Sequence, residues 1–290
     1  MKDIRLGKFT VSRVEELLGP GFAPEFLFPD WDPAVIEEHR DWMVPAFLDV
    51  KAGRFISSIH SWVLRTAHHT IVIDTCAGNH KERPEFPRFH KLDTPYLERL
   101  RAAGVNPEEV DYVLCTHLHV DHAGWNTRLV DGRWAPTFPK AKYIFSRAEH
   151  DSIRTAADAP GIPRNIYEDS VVPVMEAGQG LLIDGGHTLE DGLRIEPAPG
   201  HTRGSIALWA ESGPDRGVFI GDVMHQPIQV YRPEWNSCFC ELPDAARATR
   251  RRILESCSEH NTLVMPTHFA PPHVGRIRSR GAMFSIAFGA

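Results

Sequence analysis

Apolar and polar positions alternate differently in different parts of the chain. "ISSIHSWVLRT" and "HTIVIDT" are dense in β-branched residues and are joined by the short "AHH" stretch, which predicts a pair of strands. "TPYLERLRAAG" spaces its apolar residues at three and four, so a helix is expected there, stopping at Gly104. "NPEEV" reads as a helical turn feeding the strand "DYVLCT". Further on, "AKYIFS", "LRIEPAP", "SIALWA", "GVFIGD" and "TLVMPT" are short strand candidates. From Asp244 to Cys257 the pattern is that of an amphipathic helix, with Ala245, Ala248, Ile253 and Leu254 among its apolar positions. The first 50 or so residues differ. "GPGFAPEFLFPDWDP" is rich in Pro and aromatics and reads as a long ordered loop, and "PAVIEEHRDWM" as a short helix opened by Pro33. Strands dominate, helices are interspersed, and several strands end in side chains able to bind metals. A layered α/β sandwich is the expected class. Residues 1–290 are expected to form one domain, with residues 1–55 an extension covering a pocket or a dimer interface.

Composition narrows the function. Apolar residues make up 42% and charged residues 24%, enough to bury a large core. The net charge is −6 and no block of like charge stands out except "RATRRRI", which reads as the solvated face of a helix. Nucleic-acid binding, which needs a basic stripe, is not expected. The five cysteines, Cys76, Cys115, Cys238, Cys240 and Cys257, are odd in number and contain no C-x-x-C, a usage that suits free thiols in a reducing compartment. "MKDIRLGKFTVSRVEE" lacks the apolar stretch of a signal peptide. No run approaches the ~18 apolar residues of a membrane span. The expectation is a cytoplasmic protein with no membrane partner.

The chemistry concentrates in "CTHLHVDHAGWN", residues 115–126. Side chains alternate along an extended chain, so His117 and His119 point one way at the strand's end. Once the chain turns, Asp121 and His122 can face a second, neighbouring position, and one sharp turn can serve two metals. Imidazole and carboxylate suit Zn²⁺, Mn²⁺ or Fe²⁺ without any thiolate. Two metals need further ligands, and three more stand at downstream strand ends. "PAPGHTRGS" places His201 after Gly200, "GVFIGD" ends in Asp222, whose two oxygens can bridge two ions, and "TLVMPTHF" ends in His268.

H-x-H-x-D-H, then G-H-T-x-G-S, then G-D, then a late T-H, in that order over roughly residues 58–268, resembles the metallo-β-lactamase superfamily. The resemblance implies a four-layered αββα sandwich. It implies one metal on His117, His119 and His201, a second on Asp121, His122 and His268, and Asp222 with a hydroxide between them. Zinc is the ion it chiefly implies, and Mn²⁺, Fe²⁺ or Co²⁺ would suit the same ligands. "IVIDTCAGN" is similar to that fold's strand-ending aspartate, so Asp74 is expected to orient a ligand from behind, as are Thr116 and Thr202. The family usually has Gly where this chain has Cys76.

Within the superfamily, what the chain lacks narrows the branch. With 22 residues after His268, the helical domain of glyoxalase II-like members is not expected. The inserted domains of RNA-processing members are not seen, nor are the Glu at position 119 and the flavodoxin module of diiron flavoproteins. The second-site Cys of many zinc β-lactamases is missing too. A thiolate-free set matches the lactonases and phosphotriesterases. Well-known acyl-homoserine lactonases carry Tyr three positions after the bridging Asp, where this chain has His225. "GDVMHQPIQV" resembles the G-D-x-x-H stretch of methyl-parathion-hydrolase-like proteins and of a related branch of quorum-quenching lactonases. His225 is expected either to donate to a developing oxyanion or to brace Asp222. Asp121 is expected to carry a proton to the leaving group. Trp125, Phe22, Phe26, Phe28 and Trp31 are candidates for an apolar pocket, or else for a core or dimer interface. The expected function is dinuclear metal-dependent lactone hydrolysis of a small molecule by a homodimer. The rivals are an organophosphate triester or aryl ester hydrolase on the same residues, and a non-catalytic metal-binding protein.

Overall fold

The three-residue run "YVL" holds as a strand because it is flanked on both sides. In the computed structural model, which describes residues 3–157, 165–281 and 283–290, Tyr112–Leu114 runs parallel to Thr70–Ile73 on one side and to Lys142–Ser146 on the other. Ile71 and Lys142 are the partners of Tyr112 in those two ladders. Val113, Leu114, Ile71, Val72 and Ile73 are all buried, which is why the sequence here is continuously apolar and not alternating. Parallel strands deliver their carboxyl ends to one edge, and the ligand-capable residues follow directly from those ends.

The chain divides into two units, Met1–Glu16 with Ile59–Leu189, and Leu17–Ser58 with Glu190–Ala290. The sheet of the first is ordered Ile4–Leu6, Phe9–Pro20, Arg54–Arg65, Thr70–Ile73, Tyr112–Leu114, Lys142–Ser146, Gly180–Ile183. The chain passes between units within the strands Phe9–Pro20 and Arg54–Arg65. The helices Tyr96–Ala102 and Arg147–Ala157 belong to this unit, and the first ends just before Gly104 at φ +74°.

The second unit holds a sheet ordered Leu193–Pro197, Ile206–Ser212, Asp215–Gly221, Leu263–Pro266, Gly275–Arg280, Met283–Phe288, preceded at the boundary by His187–Glu190. Its neighbours are antiparallel except Asp215–Gly221 with Leu263–Pro266, which are parallel, with a register shift between Phe219 and Gly221 just before Asp222. The helix Pro243–Glu259 turns Ile253, Leu254 and Cys257 into a core shared with Val218, Ile220 and Val264. A smaller core joins Leu27, Phe28, Val35, Met43 and Phe55 to Ile228 and Trp235.

The region before residue 55 is more ordered than its composition suggests. Phe9–Pro20 is a 12-residue strand whose buried positions alternate over most of its length. The Pro- and aromatic-rich stretch contains one short helix, Pro24–Leu27, and the expected single helix after Pro33 is split into Ala34–Glu38 and Arg40–Met43. The extension is therefore shared, its first part in one unit and its remainder in the other.

Candidate metal centre

In the first unit the site is built on two turns that follow adjacent parallel strands. Asp74 leaves Thr70–Ile73 at φ +54° and is 1% exposed. Its carboxylate accepts from the Thr116 backbone N–H (2.7 Å), from Thr116 Oγ1 (2.9 Å) and from His122 Nδ1 (2.9 Å). A carboxylate can only accept, so the His122 proton is on Nδ1 and Nε2 carries the lone pair. The Thr116 hydroxyl spends its proton on Asp74, so His117 Nδ1, 3.1 Å from that oxygen, must be the donor there. One buried carboxylate thus fixes the tautomer of two imidazoles, the second through a hydroxyl, and both rings present Nε2 as a ligand. The three imidazoles crowd together, with ring centroids 4.6 Å apart for His117 and His119 and 4.0 Å for His117 and His122. Asp121 Oδ1 lies 3.8 Å from His122 Nε2. Glu149, which no sequence motif singles out, accepts from the Leu118 N–H at 3.0 Å and pins the middle of the turn.

The turn at Cys76 is left-handed, with φ +50°. A Gly would take that conformation without strain, whereas a side chain there costs about 1–2 kcal/mol. The thiol is fully buried, lies 3.4 Å from Ser61 Oγ, and is pushed well up by burial. Burial does the same to Cys115. Both stay protonated, which agrees with donors drawn from imidazole and carboxylate alone.

In the second unit three imidazoles converge on one carboxylate. Asp222 follows Gly221 (φ +49°) at the end of its strand. His201 Nε2 and His225 Nε2 lie 3.3 and 3.2 Å from its Oδ2, and His268 Nε2 lies 3.0 Å from its Oδ1. His268 Nδ1 is 3.0 Å from the Ser58 carbonyl oxygen and must donate to it. In a neutral ring Nε2 is then an acceptor, facing another acceptor at 3.0 Å. Two lone pairs hold that distance only with a positive charge between them, either on the ring itself or on a cation. The donor set therefore fits a divalent ion of the imidazole- and carboxylate-binding kind.

His201 is placed by Gly200, whose φ is +145° and whose missing Cβ would stand 2.3 Å from Ala246 Cα. The turn closes through Thr202 and Ser205, whose hydroxyls are 2.7 Å apart, so Thr202 shapes the loop that presents His201. The "GDVMHQ" turn is held by two residues with no obvious sequence signal. Gln229 accepts from the His225 N–H at 2.6 Å and donates to the Trp235 carbonyl at 2.9 Å. Arg250 is 1% exposed and donates to the carbonyls of Val223 (2.9 Å) and Pro233 (2.6 Å) and to Asn236 Oδ1 (3.1 Å). Burial pushes its guanidinium down to about 10. The solvated face expected for "RATRRRI" therefore excludes Arg250, which turns inward to these oxygens.

The aromatic candidates separate. Trp125 is 4% exposed, stacks on Tyr96 and donates its indole N–H to Glu16 at 2.7 Å, so it is packed in the first unit's interior. The 3-10 turn Gly124–Asn126 rotates it there. Phe28 is fully buried against Phe55 and Trp235, and Trp31 packs edge-on to the same two rings. Phe22 and Phe26 instead stack on each other (5.4 Å) and meet Phe239 at 5.2 and 6.0 Å. Phe239 in turn stacks on His225 at 6.5 Å, and Phe26 is 54% exposed. A string of rings runs from the Asp222 cluster to the surface of the second unit.

Residues 56–274 match the family model of the metallo-beta-lactamase superfamily, a stretch that carries every one of these ligand-capable residues. The chain belongs to the metallo-beta-lactamase superfamily. Among superfamily relatives, an N-acyl homoserine lactonase from Bacillus sp. is 26% identical over 140 residues, covering 47% of this chain and 48% of its own. The N-acyl homoserine lactonase AiiB of Agrobacterium fabrum is 26% identical over 197 residues, covering 59% and 70%. A hydroxyacylglutathione hydrolase from Synechococcus is 34% identical over 134 residues, covering 45% and 41%. The chain thus spans about half the length of two of these three relatives. Of solved superfamily structures, the hydrolase AbOPH superposes with a TM-score of 0.83 at 22% identity, over 99% of this chain and 97% of that one. AidC, a dizinc quorum-quenching lactonase solved with a product bound, superposes with a TM-score of 0.77 at 20% identity, over 100% and 97%. At such identities the likeness shows the fold, and the α/β sandwich class expected from the sequence is the metallo-beta-lactamase fold. No helix among the described residues is long and apolar enough to cross a membrane.

Proposed function

We propose that this chain is a dinuclear metal-dependent hydrolase that opens lactone rings, acyl homoserine lactones being the substrate class. His117, His119 and His201 with Asp222 would hold one divalent ion, and Asp121, His122 and His268 with Asp222 the other, zinc being the ion the donors suit best. The observation that carries the reading is that His117, His122 and His268 each turn Nδ1 to a protein oxygen, so that each ring presents Nε2 as its ligand atom. The named homoserine lactonases among the relatives support the choice of a lactone.

Bound there, such ions supply a water activated at neutral pH and polarise the carbonyl under attack. The protein's own groups do the rest. Asp74 and Ser58 hold ring protons away from the reacting side. His225 braces Asp222 through Nε2 and is itself steadied by Gln229. Asp121 has a side chain 15% exposed against 5% for Asp222, so it is the carboxylate better able to hand a proton to the departing alkoxide. Phe239, Phe22 and Phe26 offer an apolar wall for an acyl chain. The same planar rings also suit an aryl leaving group, which favours aryl ester or organophosphate triester hydrolysis as the second reading.

The test is proton release at constant pH on a medium-chain acyl homoserine lactone, with Asp222→Asn alongside. Turnover abolished by the substitution is the expected result. A protein shown to be metal-loaded that releases no protons would refute the homoserine lactone reading, and aryl esters and phosphotriesters would be assayed next.

A further inference from the structure

Glu16 lies at the end of the first unit's opening segment, far in sequence from every ligand-capable residue. Its side chain is nonetheless buried, and four donors point at it. The Ala77 N–H (2.7 Å) meets Oε2, while the Gly78 N–H (3.3 Å), Thr94 Oγ1 (3.2 Å) and Trp125 Nε1 (2.7 Å) meet Oε1. Among the described residues no basic side chain pairs with it, so neutral donors alone hold it. Burial pushes its carboxyl upward and the four hydrogen bonds oppose that.

Three of those donors come from the two turns that carry Asp74 and His117–His122, and the fourth, Thr94, stands just before the helix Tyr96–Ala102. The turns are zipped backbone to backbone, Thr75 N–H to His122 O (2.7 Å), Trp125 N–H to Thr75 O (2.8 Å) and Gly124 N–H to Cys76 O (2.8 Å). The fit leaves no slack, since a Cβ on Gly124 would stand 1.8 Å from the Ala77 carbonyl oxygen. The zip ends at Ala77 and Trp125, and one carboxylate caps both strands of it. We infer that Glu16 is a positioning residue for the proposed metal centre, holding the Asp74 turn and the histidine turn in the register that metal binding needs. The inference rests on the dinuclear reading above.

Mechanically, losing the cap lets Ala77 and Trp125 move apart. The nearest consequence is at Thr75–His122, one step along the zip, and so at the His122 ring that Asp74 orients. Groups that orient metal ligands from behind are worth about 10–100-fold in metal affinity. Glu16→Gln is the sharp variant. It keeps the shape but brings an NH₂ against an N–H donor, so one of the two ends of the cap must open.

The experiment measures zinc affinity of the full chain by competition with a chromophoric chelator, and melting temperature with and without zinc. Glu16→Gln is expected to weaken zinc binding at least tenfold and to lower the melting temperature more with zinc than without. Trp125→Phe, which removes one donor and leaves Glu16 in place, is expected to weaken it in the same direction by a smaller factor. Zinc affinity unchanged in Glu16→Gln, with both melting temperatures lowered equally, would overturn the inference and leave Glu16 a structural staple. Should Glu16→Gln not fold, unchanged affinity in Trp125→Phe would overturn it alone. A wild-type chain that takes up no zinc would instead refute the metal centre itself, a separate result.

Discussion

Replacing Gly200 with Ala tests whether His201 is placed by contact between its loop and the helix Pro243–Glu259. The new Cβ would stand 2.3 Å from Ala246 Cα, 2.4 Å from Ala246 N and 2.7 Å from Ala246 Cβ. Carbon atoms pack at about 3.5–4.0 Å, so loop and helix must separate by more than about 1 Å. Two of the crowded atoms are backbone, and the loop is bonded to the helix start by the Leu242 N–H to Gly200 O and the Glu241 N–H to His201 O, both 2.9 Å. No side chain can swing away to absorb the insertion. Overpacking costs about 1–3 kcal/mol, and φ +145° imposes about 1–3 kcal/mol more on a residue with a Cβ. A loss of roughly 2–6 kcal/mol corresponds to a melting temperature lower by about 10 °C in a chain of this size. Gly213→Ala is the matched control, since Gly213 has φ +63° but nothing within 4 Å of the added carbon. It isolates the left-handed strain, at about 1–2 kcal/mol. Thermal melts and urea titrations of both variants decide the matter. If Gly200→Ala melts within about 2 °C of wild type, or no lower than Gly213→Ala, the close approach does not position His201 and the reasoning fails.

Two further outcomes are expected. Asp74→Asn preserves a backbone that Asn tolerates at φ +54° but cannot accept from all three donors, so it should lower activity and metal content about 10–100-fold. Wild-type metal content in the purified variant would contradict that. Lys81 is buried over the Trp134 ring, donates to Thr127 Oγ1 and the Asp169 carbonyl, and is pushed down to about 7 by burial. Its folded value lies below the unfolded one near 10.4, so between pH 7 and 10 the unfolded chain binds the extra proton and stability rises with pH. Urea midpoints measured across that range should climb in wild type and flatten in Lys81→Met; equal slopes would refute the assignment.

The ligand-capable residues were legible because they sit at the ends of β-branched runs, and "THLHVDH" and "IGD" leave little choice of where those ends are. Asp74, Thr116 and Thr202, which orient some of them, were legible through the resemblance, but Glu16, Gln229 and Arg250 were not. Glu16 sits in "SRVEELL", an alternation that could be strand, helix or loop, and its partners Ala77 and Trp125 lie 61 and 109 residues away. Only pairing in the sheet brings them together. Arg250 is one of four arginines within six residues, and nothing local tells which one turns inward to the Val223 carbonyl. Trp125 illustrates the opposite hazard. Its spacing from His122 suggests the reacting side, but a single 3-10 turn is enough to rotate an indole from a pocket into a core.

The anchors behind the imidazoles differ in kind. His122 shares its Nδ1 proton with a carboxylate, His268 with a peptide carbonyl, and His117 with a hydroxyl. The more basic the anchor, the more electron density it returns to the opposite nitrogen. The three rings are therefore graded as Lewis bases, His122 strongest and His117 weakest, although they are chemically the same residue. The fold has made three unequal electron donors without changing one atom of the rings themselves.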